Sequence, residues 1–234
     1  MSAPLRILVA GSGGGIGAAC TDALAEAGHA VFGADRPALD ITVAGGAEQA
    51  VAEAAAALGG LDGIVHAVGM SGRRLGDGPV TEATDEGWSE VMRVNLESVF
   101  RLLRAGLPAL RASGGGSFVT IGSALGHAAD RDFLTAAYAA SKAALAGLVR
   151  VAALEAAPWD VRVNNVAAGL VMTPMSARVQ ENERIMGRLA ELQPLGGRML
   201  DPAAIAGAVA WLLSPAAAGT TGVTLPVDGG WSLR

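Results

Sequence analysis

Short runs of consecutive apolar residues alternate along the chain with longer windows whose apolar positions recur at helical spacing. That alternation points to βαβ units around a parallel sheet. Leu5 to Ala10 reads as the first strand, and Ile16 to Ala27 as a helix closed by Gly28. Ala30 to Ala34 is the second strand, Ala47 to Leu58 a helix ended by Gly59-Gly60, and Leu61 to Ala67 a third strand. Asp85 to Leu110 reads as one long helix with Pro108 near its end. Ser117 to Ile121 is a strand, Thr135 to Ala156 a helix and Val161 to Val166 a strand. Asp201-Pro202 carries the cap-then-proline signature of a helix start, which runs to about Leu213, and Val223 to Val227 closes the sheet. The expected fold class is α/β: a single Rossmann-type, doubly wound parallel sheet with helices on both faces, in one domain over 1–234, since no linker or repeat divides the chain.

Composition narrows the partners. Of 234 residues, 51% are hydrophobic and 17% charged, which suits many buried strands and argues against disorder. A net charge of −5 leaves no basic footprint for nucleic acid. The lone Cys20 excludes an internal disulfide and a cysteine-built metal site, and three scattered histidines do not replace one, so no metal is expected. Cys20 reads as a small buried hydrophobe. Met1 to Arg6 is short and polar, unlike a signal peptide, and no run reaches the roughly 18 uncharged apolar residues of a membrane span. A cytoplasmic location is expected.

Gly11-Ser12-Gly13-Gly14-Gly15-Ile16-Gly17 follows a strand and opens a helix. Glycine permits a tight turn, and bare backbone N–H groups can approach a pyrophosphate at the positive end of a helix. Two frames fit: Gly-x3-Gly-x-Gly on Gly11, Gly15 and Gly17, and Gly-x-Gly-x-x-Ala on Gly13, Gly15 and Ala18. The plainer alternative is a flexible turn without a ligand. A dinucleotide site predicts an acidic residue about 20 positions on, at the end of the second strand. Asp35 stands there, 24 residues after Gly11. Its carboxylate suits the adenosine ribose hydroxyls and repels a 2′-phosphate, which favours NAD over NADP. Arg36 is adjacent and could serve a 2′-phosphate, but Gly14 offers no second cation.

Tyr138 and Lys142 are four residues apart in an Ala-rich helical window, so phenol and ammonium share a helix face. A free phenol titrates near about 10, and a nearby cation lowers that value toward useful acid–base catalysis. Tyr138 is the only tyrosine. Ser123 ends the strand Phe118 to Ile121, fifteen residues before Tyr138, where open parallel sheets bind ligands. Asn95 lies mid-helix, where asparagine is an indifferent helix former, leaving its side chain for a structural or water-holding role.

Together these residues resemble the short-chain dehydrogenase/reductase family, of its classical type, over nearly the whole chain. The turn resembles the family's Thr-Gly-x3-Gly-Ile-Gly, with Ala10 in place of Thr. His66-Ala67-Val68-Gly69 stands where Asn-Asn-Ala-Gly is usual, and Ser98 where Gly is usual after Asn95. Ala168-Gly169 sits where Pro-Gly is usual, with Thr173 following. The resemblance implies that Gly11, Gly15, Ile16 and Gly17 surround the pyrophosphate, Asp35 holds the adenosine ribose, and Asp40 and Ile41 flank the adenine. It implies that Gly69 lets the backbone approach the cofactor and Thr173 contacts the nicotinamide amide. Ser123 would polarise the carbonyl, Tyr138 exchange the proton, Lys142 hold the ribose and tune Tyr138, and Asn95 anchor a relay water. The implied activity is NAD(H)-dependent interconversion of a secondary alcohol and a ketone. Two alternatives are an NADPH-dependent 3-oxoacyl-thioester reductase and a non-catalytic dinucleotide sensor. The resemblance also implies a homotetramer, or a dimer, built on the helices at 85–110 and 135–156. The departures at Ala10 and Ala67 imply some lost stability, and the stretch Asp35 to Asp40 looks trimmed of a usual helix and strand.

Substrate signals are sparser. Arg73 and Arg74 lie in a Gly-rich loop and read either as an anion clamp or as a solvated edge. The segment 174–198 falls where the family carries a substrate lid. Met172, Met175, Ile185 and Met186 suggest an apolar wall there, and Arg178, Arg184 and Arg188 are further candidates for an anionic group. His127 and Trp231 are possible borders of the pocket.

Overall fold

The computed structural model describes residues 3–233; Met1 and Ser2 of the polar opening, and Arg234 at the end of the expected domain, lie outside the described residues. Six strands, β1 (Arg6–Ala10), β2 (Ala30–Ala34), β3 (Gly63–His66), β4 (Gly116–Ser123), β5 (Val161–Ala168) and β6 (Thr224–Val227), form one parallel sheet ordered β2-β1-β3-β4-β5-β6. The helices are α1 (Gly15–Glu26), α2 (Gly46–Leu58), α3 (Asp85–Met92), α4 (Ser98–Ala112), α5 (Ala136–Ala156), the short α6 (Ala177–Gln180), α7 (Glu183–Gly187) and α8 (Leu189–Leu192), and α9 (Pro202–Leu213).

The central strands read as unbroken apolar runs because both of their faces are covered. Successive side chains point to opposite faces. Leu8, Ile64, Phe118 and Val163 pack under α2, α4 and α5. Ile7, Val9, Val65, Val119 and Val166 pack under α1 and α9, beside the buried Cys20. Each large side chain buried here contributes roughly 1.5–3 kcal/mol relative to exposure. A third cluster, including Phe133, Leu170, Ile185, Leu192 and Trp231, gathers α7 and α8 with the segments that follow β4 and β5. Strand order reverses between β1 and β3, so the crevice for a ligand opens at their carboxyl ends.

Three features of the connections bear on the site, the first of them a departure from the sequence reading. The expected single helix over 85–110 is a rod with a π-helical turn, Arg93–Glu97, between α3 and α4. That turn holds one residue more than an α-turn, and Asn95 lies at its centre. Between β2 and α2 there is no further strand. Asp40 accepts from the Thr42 N–H at 2.8 Å and from the Thr42 hydroxyl at 2.6 Å, turning the chain back and leaving β2 at the sheet edge. Finally, β4 and β5 stay paired as far as Ser123 and Ala168, so Ser123 is the last residue of its strand rather than a loop residue.

Helix α5 with its following turn, Ala136–Trp159, has the length and apolar composition of a membrane span. Here it packs along β5 and carries the buried Lys142.

Candidate active site

The turn after β1 is a cradle of backbone. Gly11 has φ +85°, and a Cβ there would stand 2.9 Å from the Ala67 carbonyl carbon and the Val68 nitrogen. At Gly17 a Cβ would lie 1.9 Å from the Gly11 carbonyl oxygen, so α1 can start against the turn only without a side chain. Gly14 donates to the Gly11 carbonyl at 3.1 Å. The Asp35 carboxylate reaches across from β2 and accepts from the Gly13 N–H at 2.6 Å and the Arg36 N–H at 2.7 Å. A Cβ on Gly15 would meet the Thr173 side chain at 2.7 Å, so the loop after β5 closes over the turn. A backbone surface with no Cβ, at a helix start, with a carboxylate at one end, fits a dinucleotide.

The crevice continues as a cleft of about 330 Å3 whose walls include Ile16, Ser123, Tyr138, Lys142 and Thr173. Lys142 is buried and donates to the Ile121 carbonyl at 2.8 Å, with its Nζ 5.9 Å from the Tyr138 ring centre. Burial pushes the Lys142 ammonium down to about 8. Burial also raises the Tyr138 phenol above its ordinary value, while a hydrogen bond with Ser123 opposes the rise. Gly69 lies between the catalytic candidates: a Cβ there would stand 3.5 Å from Asn95 Oδ1 and 3.6 Å from Lys142 Nζ. The fully buried Asn95 grips the loop after β3. Its Oδ1 accepts from the Met70 N–H at 2.8 Å, and its amide donates to the Met70 carbonyl at 2.9 Å and to Ser141 Oγ at 3.3 Å. Both amide protons are therefore engaged by protein, and the side chain positions backbone instead of presenting itself to solvent.

Asp40 and Ile41 are placed differently from the expectation. Ile41 is a core residue, 2% exposed, and the Asp40 carboxylate is engaged by its own turn. The Ile41 side chain is thus turned into the core, and Asp40 keeps one carboxylate oxygen on Thr42. Trp231 does line the cleft.

The sequence profile described as Enoyl-(Acyl carrier protein) reductase matches residues 10–232. The chain is 35% identical over 195 residues to a 2,5-dichloro-2,5-cyclohexadiene-1,4-diol dehydrogenase of Sphingobium indicum, covering 83% of this chain and 74% of that one. It is 34% identical to a 3-oxoacyl-[acyl-carrier-protein] reductase of Vibrio cholerae, over 95% of each chain. A solved short-chain type dehydrogenase/reductase from Mycobacterium ulcerans superposes with a TM-score of 0.90 at 30% identity, covering 100% of this chain and 92% of that one. The chain belongs to the short-chain dehydrogenase/reductase family. It is thus an oxidoreductase of alcohols and ketones, in a family that binds nicotinamide dinucleotides.

Three features of this short-chain dehydrogenase/reductase escaped the sequence reading. Asp77, buried in the loop after Arg74, caps α5: its two carboxylate oxygens accept from the Ala137 and Tyr138 N–H groups at 2.9 and 3.0 Å. The preceding Thr135 makes no such cap, so the start of the helix bearing Tyr138 is held from sixty residues away. A lone Asp among glycines gives no signal for this. Asp130 and Asp132 bind Arg188, and Asp132 also binds Arg184, tying α7 and α8 to the loop after β4. The Asp-Arg-Asp run at 130–132 and the Arg pair four residues apart at 184 and 188 were the available signal.

The third feature joins two of the family departures. His66 Nε2 lies 2.8 Å from Ser98 Oγ, whose hydroxyl donates to the Val94 carbonyl at 2.6 Å. The imidazole therefore donates through Nε2. Burial, helped by the charge of Lys142, pushes His66 down to about 3. In an unfolded chain it would titrate near about 6.5. Between those values the unfolded state binds the extra proton, so this contribution is whole above pH 6.5 and is lost as pH falls toward 3. A His66→Asn variant should show a shallower loss of stability between pH 7 and pH 5 in urea unfolding, by up to about tenfold in the folding constant per pH unit. An unchanged slope would contradict a neutral buried imidazole.

Proposed function

We propose that the protein interconverts a secondary alcohol and a ketone with NAD(H), using Tyr138 as general acid and base. The observation that carries this reading is the convergence of Ser123, Tyr138 and Lys142 on one cleft that runs into the glycine cradle. The nicotinamide, when bound, supplies the acceptor or donor of the hydride. Ser123 Oγ, at the last position of β4, orients the substrate oxygen toward Tyr138. The phenol oxygen of Tyr138 gives its proton to that oxygen in reduction and takes it back in oxidation. Lys142 keeps a cation beside the phenol and favours phenolate, opposing the rise that burial imposes. Asn95 holds the Gly69–Met70 backbone as one wall of the cofactor space. Thr173 and Ile16 line the cleft where the nicotinamide would rest.

The choice of NAD rests on Asp35. Its carboxylate stands at the end of β2 against bare Gly13, where a ribose hydroxyl can donate to it and a 2′-phosphate would meet like charge. Asp40 is lowered first by its hydrogen bond from Thr42 and Glu90 by its bond from Arg93, and the charge of Arg36 adds a smaller effect on both. Initial rates should favour NAD over NADP by at least about tenfold, and Asp35→Ala should reduce or reverse that ratio. A wild-type preference for NADPH would defeat the assignment and favour a 3-oxoacyl-thioester reductase, an activity that the Vibrio cholerae relative carries by name. A purely sensory role is disfavoured because Asn95, Ser123, Tyr138 and Lys142 are all present. Assembly as a homotetramer is supported by apolar side chains left exposed on the two long helices, Phe100 on α4 and Val151 and Leu154 on α5.

A further inference from the structure

Five arginines were candidates to meet an anionic substrate, and the structure sorts them. Arg184 and Arg188 are consumed by Asp130 and Asp132. Arg74 is exposed and also lines the cleft, but it follows Arg73 in the same loop and brings no charge from a second element. Arg73 and Arg178 remain. They come from opposite sides of the cleft, the loop after β3 and helix α6, and both line it together with Tyr138 and Ser123. Neither has an ion-pair partner among the described residues. The nearest carboxylates are engaged elsewhere: Asp77 by the α5 amides, and Asp132 by Arg184 and Arg188. The exposed Arg178 guanidinium lies over the Phe133 ring, 5.9 Å from its centre, and donates to the Asp132 carbonyl at 3.5 Å, against the cleft wall that Phe133 forms.

The two guanidiniums repel each other. Burial, and then the charge of Arg178, hold Arg73 below its ordinary value, while the charge of Asp77 partly opposes them. Two like charges facing one small cavity, with their acidic neighbours already occupied, are a cost unless an anion enters between them. The remote end of the dinucleotide does not explain them, because Asp35 and the glycines of the turn do not line this cleft, which meets the turn only at Ile16.

We infer that Arg73 and Arg178 form a carboxylate subsite, and that the substrate is a small secondary alcohol or ketone bearing a carboxylate, its ring or chain lying on Phe133, Met175 and Trp231. This rests on the alcohol–ketone reading of the same cleft. It gives the substrate a fixed orientation: carboxylate at the arginines, reacting carbon at Ser123 and Tyr138.

The test separates the subsite from the chemistry. The full-length protein, saturated with NADH, is titrated by calorimetry with cyclohexanecarboxylate and with the isosteric, neutral cyclohexanecarboxamide. The acid should bind at least about tenfold more tightly at low ionic strength, and the ratio should fall toward one in Arg73→Gln and in Arg178→Gln. Equal affinities in wild type, or a ratio untouched by both substitutions, would overturn the inference. Tighter binding of cyclohexyl phosphate than of the carboxylate would overturn the choice of carboxylate. Turnover is measured separately, on hydroxycyclohexanecarboxylates with NAD and on cyclohexanol. Charge-selective binding with no turnover of any alcohol would sink the oxidoreductase reading alone. Turnover of cyclohexanol as efficient as that of the acids would sink the subsite alone.

Discussion

Replacing Tyr138 by Phe is expected to lower kcat by about 10³-fold or more, toward the upper range for loss of a general acid–base. The same variant should bind the dinucleotide within about twofold of wild type. The phenol ring is one wall of the cleft and Phe preserves it; what disappears is the one hydroxyl placed to exchange a proton beside Ser123 and Lys142. Ser123 cannot substitute, because a free hydroxyl has no tuned acidity, and Lys142 is tied to the Ile121 carbonyl at 2.8 Å. Steady-state rates with NAD, together with calorimetric dinucleotide binding, provide the check. Activity within tenfold of wild type would remove Tyr138 from the mechanism.

Gly17→Ala is expected to weaken dinucleotide binding by at least about tenfold and to cost on the order of 1–3 kcal/mol of stability. The new methyl would fall 1.9 Å from the Gly11 carbonyl oxygen and 2.8 Å from its carbon. Both are backbone atoms, so no rotamer change relieves the clash and the turn itself must open. Opening it withdraws the N–H groups from the place a pyrophosphate would occupy. Gly207→Ala in α9 is the natural control, since nothing lies within 4 Å of a Cβ there. That change should leave affinity intact and stabilise the helix by up to about 1 kcal/mol. Equal effects from the two substitutions in urea unfolding and dinucleotide titration would show that packing at the turn is not what Gly17 provides.

Those two positions show what a sequence can reveal. The glycine turn is legible because its chemistry is local: strand, turn and helix start are contiguous, and Gly17 answers a contact with Gly11 inside that unit. Tyr138 and Lys142 are legible for the same reason, being one helical turn apart. The parallel sheet follows from apolar runs that both faces need buried. What escaped is what distant segments decide. Asp77 caps α5 from another loop, and no pattern near either end announces it. His66 and Ser98 read as two unrelated departures from the family pattern, yet they are one contact of 2.8 Å. The expectation of stability lost at Ala10 and Ala67 did not foresee that pairing. Asp40 and Ile41 were read from family spacing across a trimmed connection; the shortened turn engages one Asp40 oxygen, and Ile41 packs into the core. The lid arginines could not be told apart until Asp130 and Asp132 claimed two of them.

The π-helical turn at Arg93–Glu97 couples two demands on one rod. Upstream, α3 presents Val91 inward; downstream, α4 presents Val99, Leu102, Leu103 and Leu110 to the sheet. An uninterrupted α-helix advances about 100° per residue, so removing the extra residue would swing one of these segments by that angle. Either Asn95 would leave Met70, or the leucine stripe would leave the core. The surplus residue acts as a phase shifter, letting a loop-gripping amide and a sheet-facing stripe share an axis that a regular helix would force them to contest.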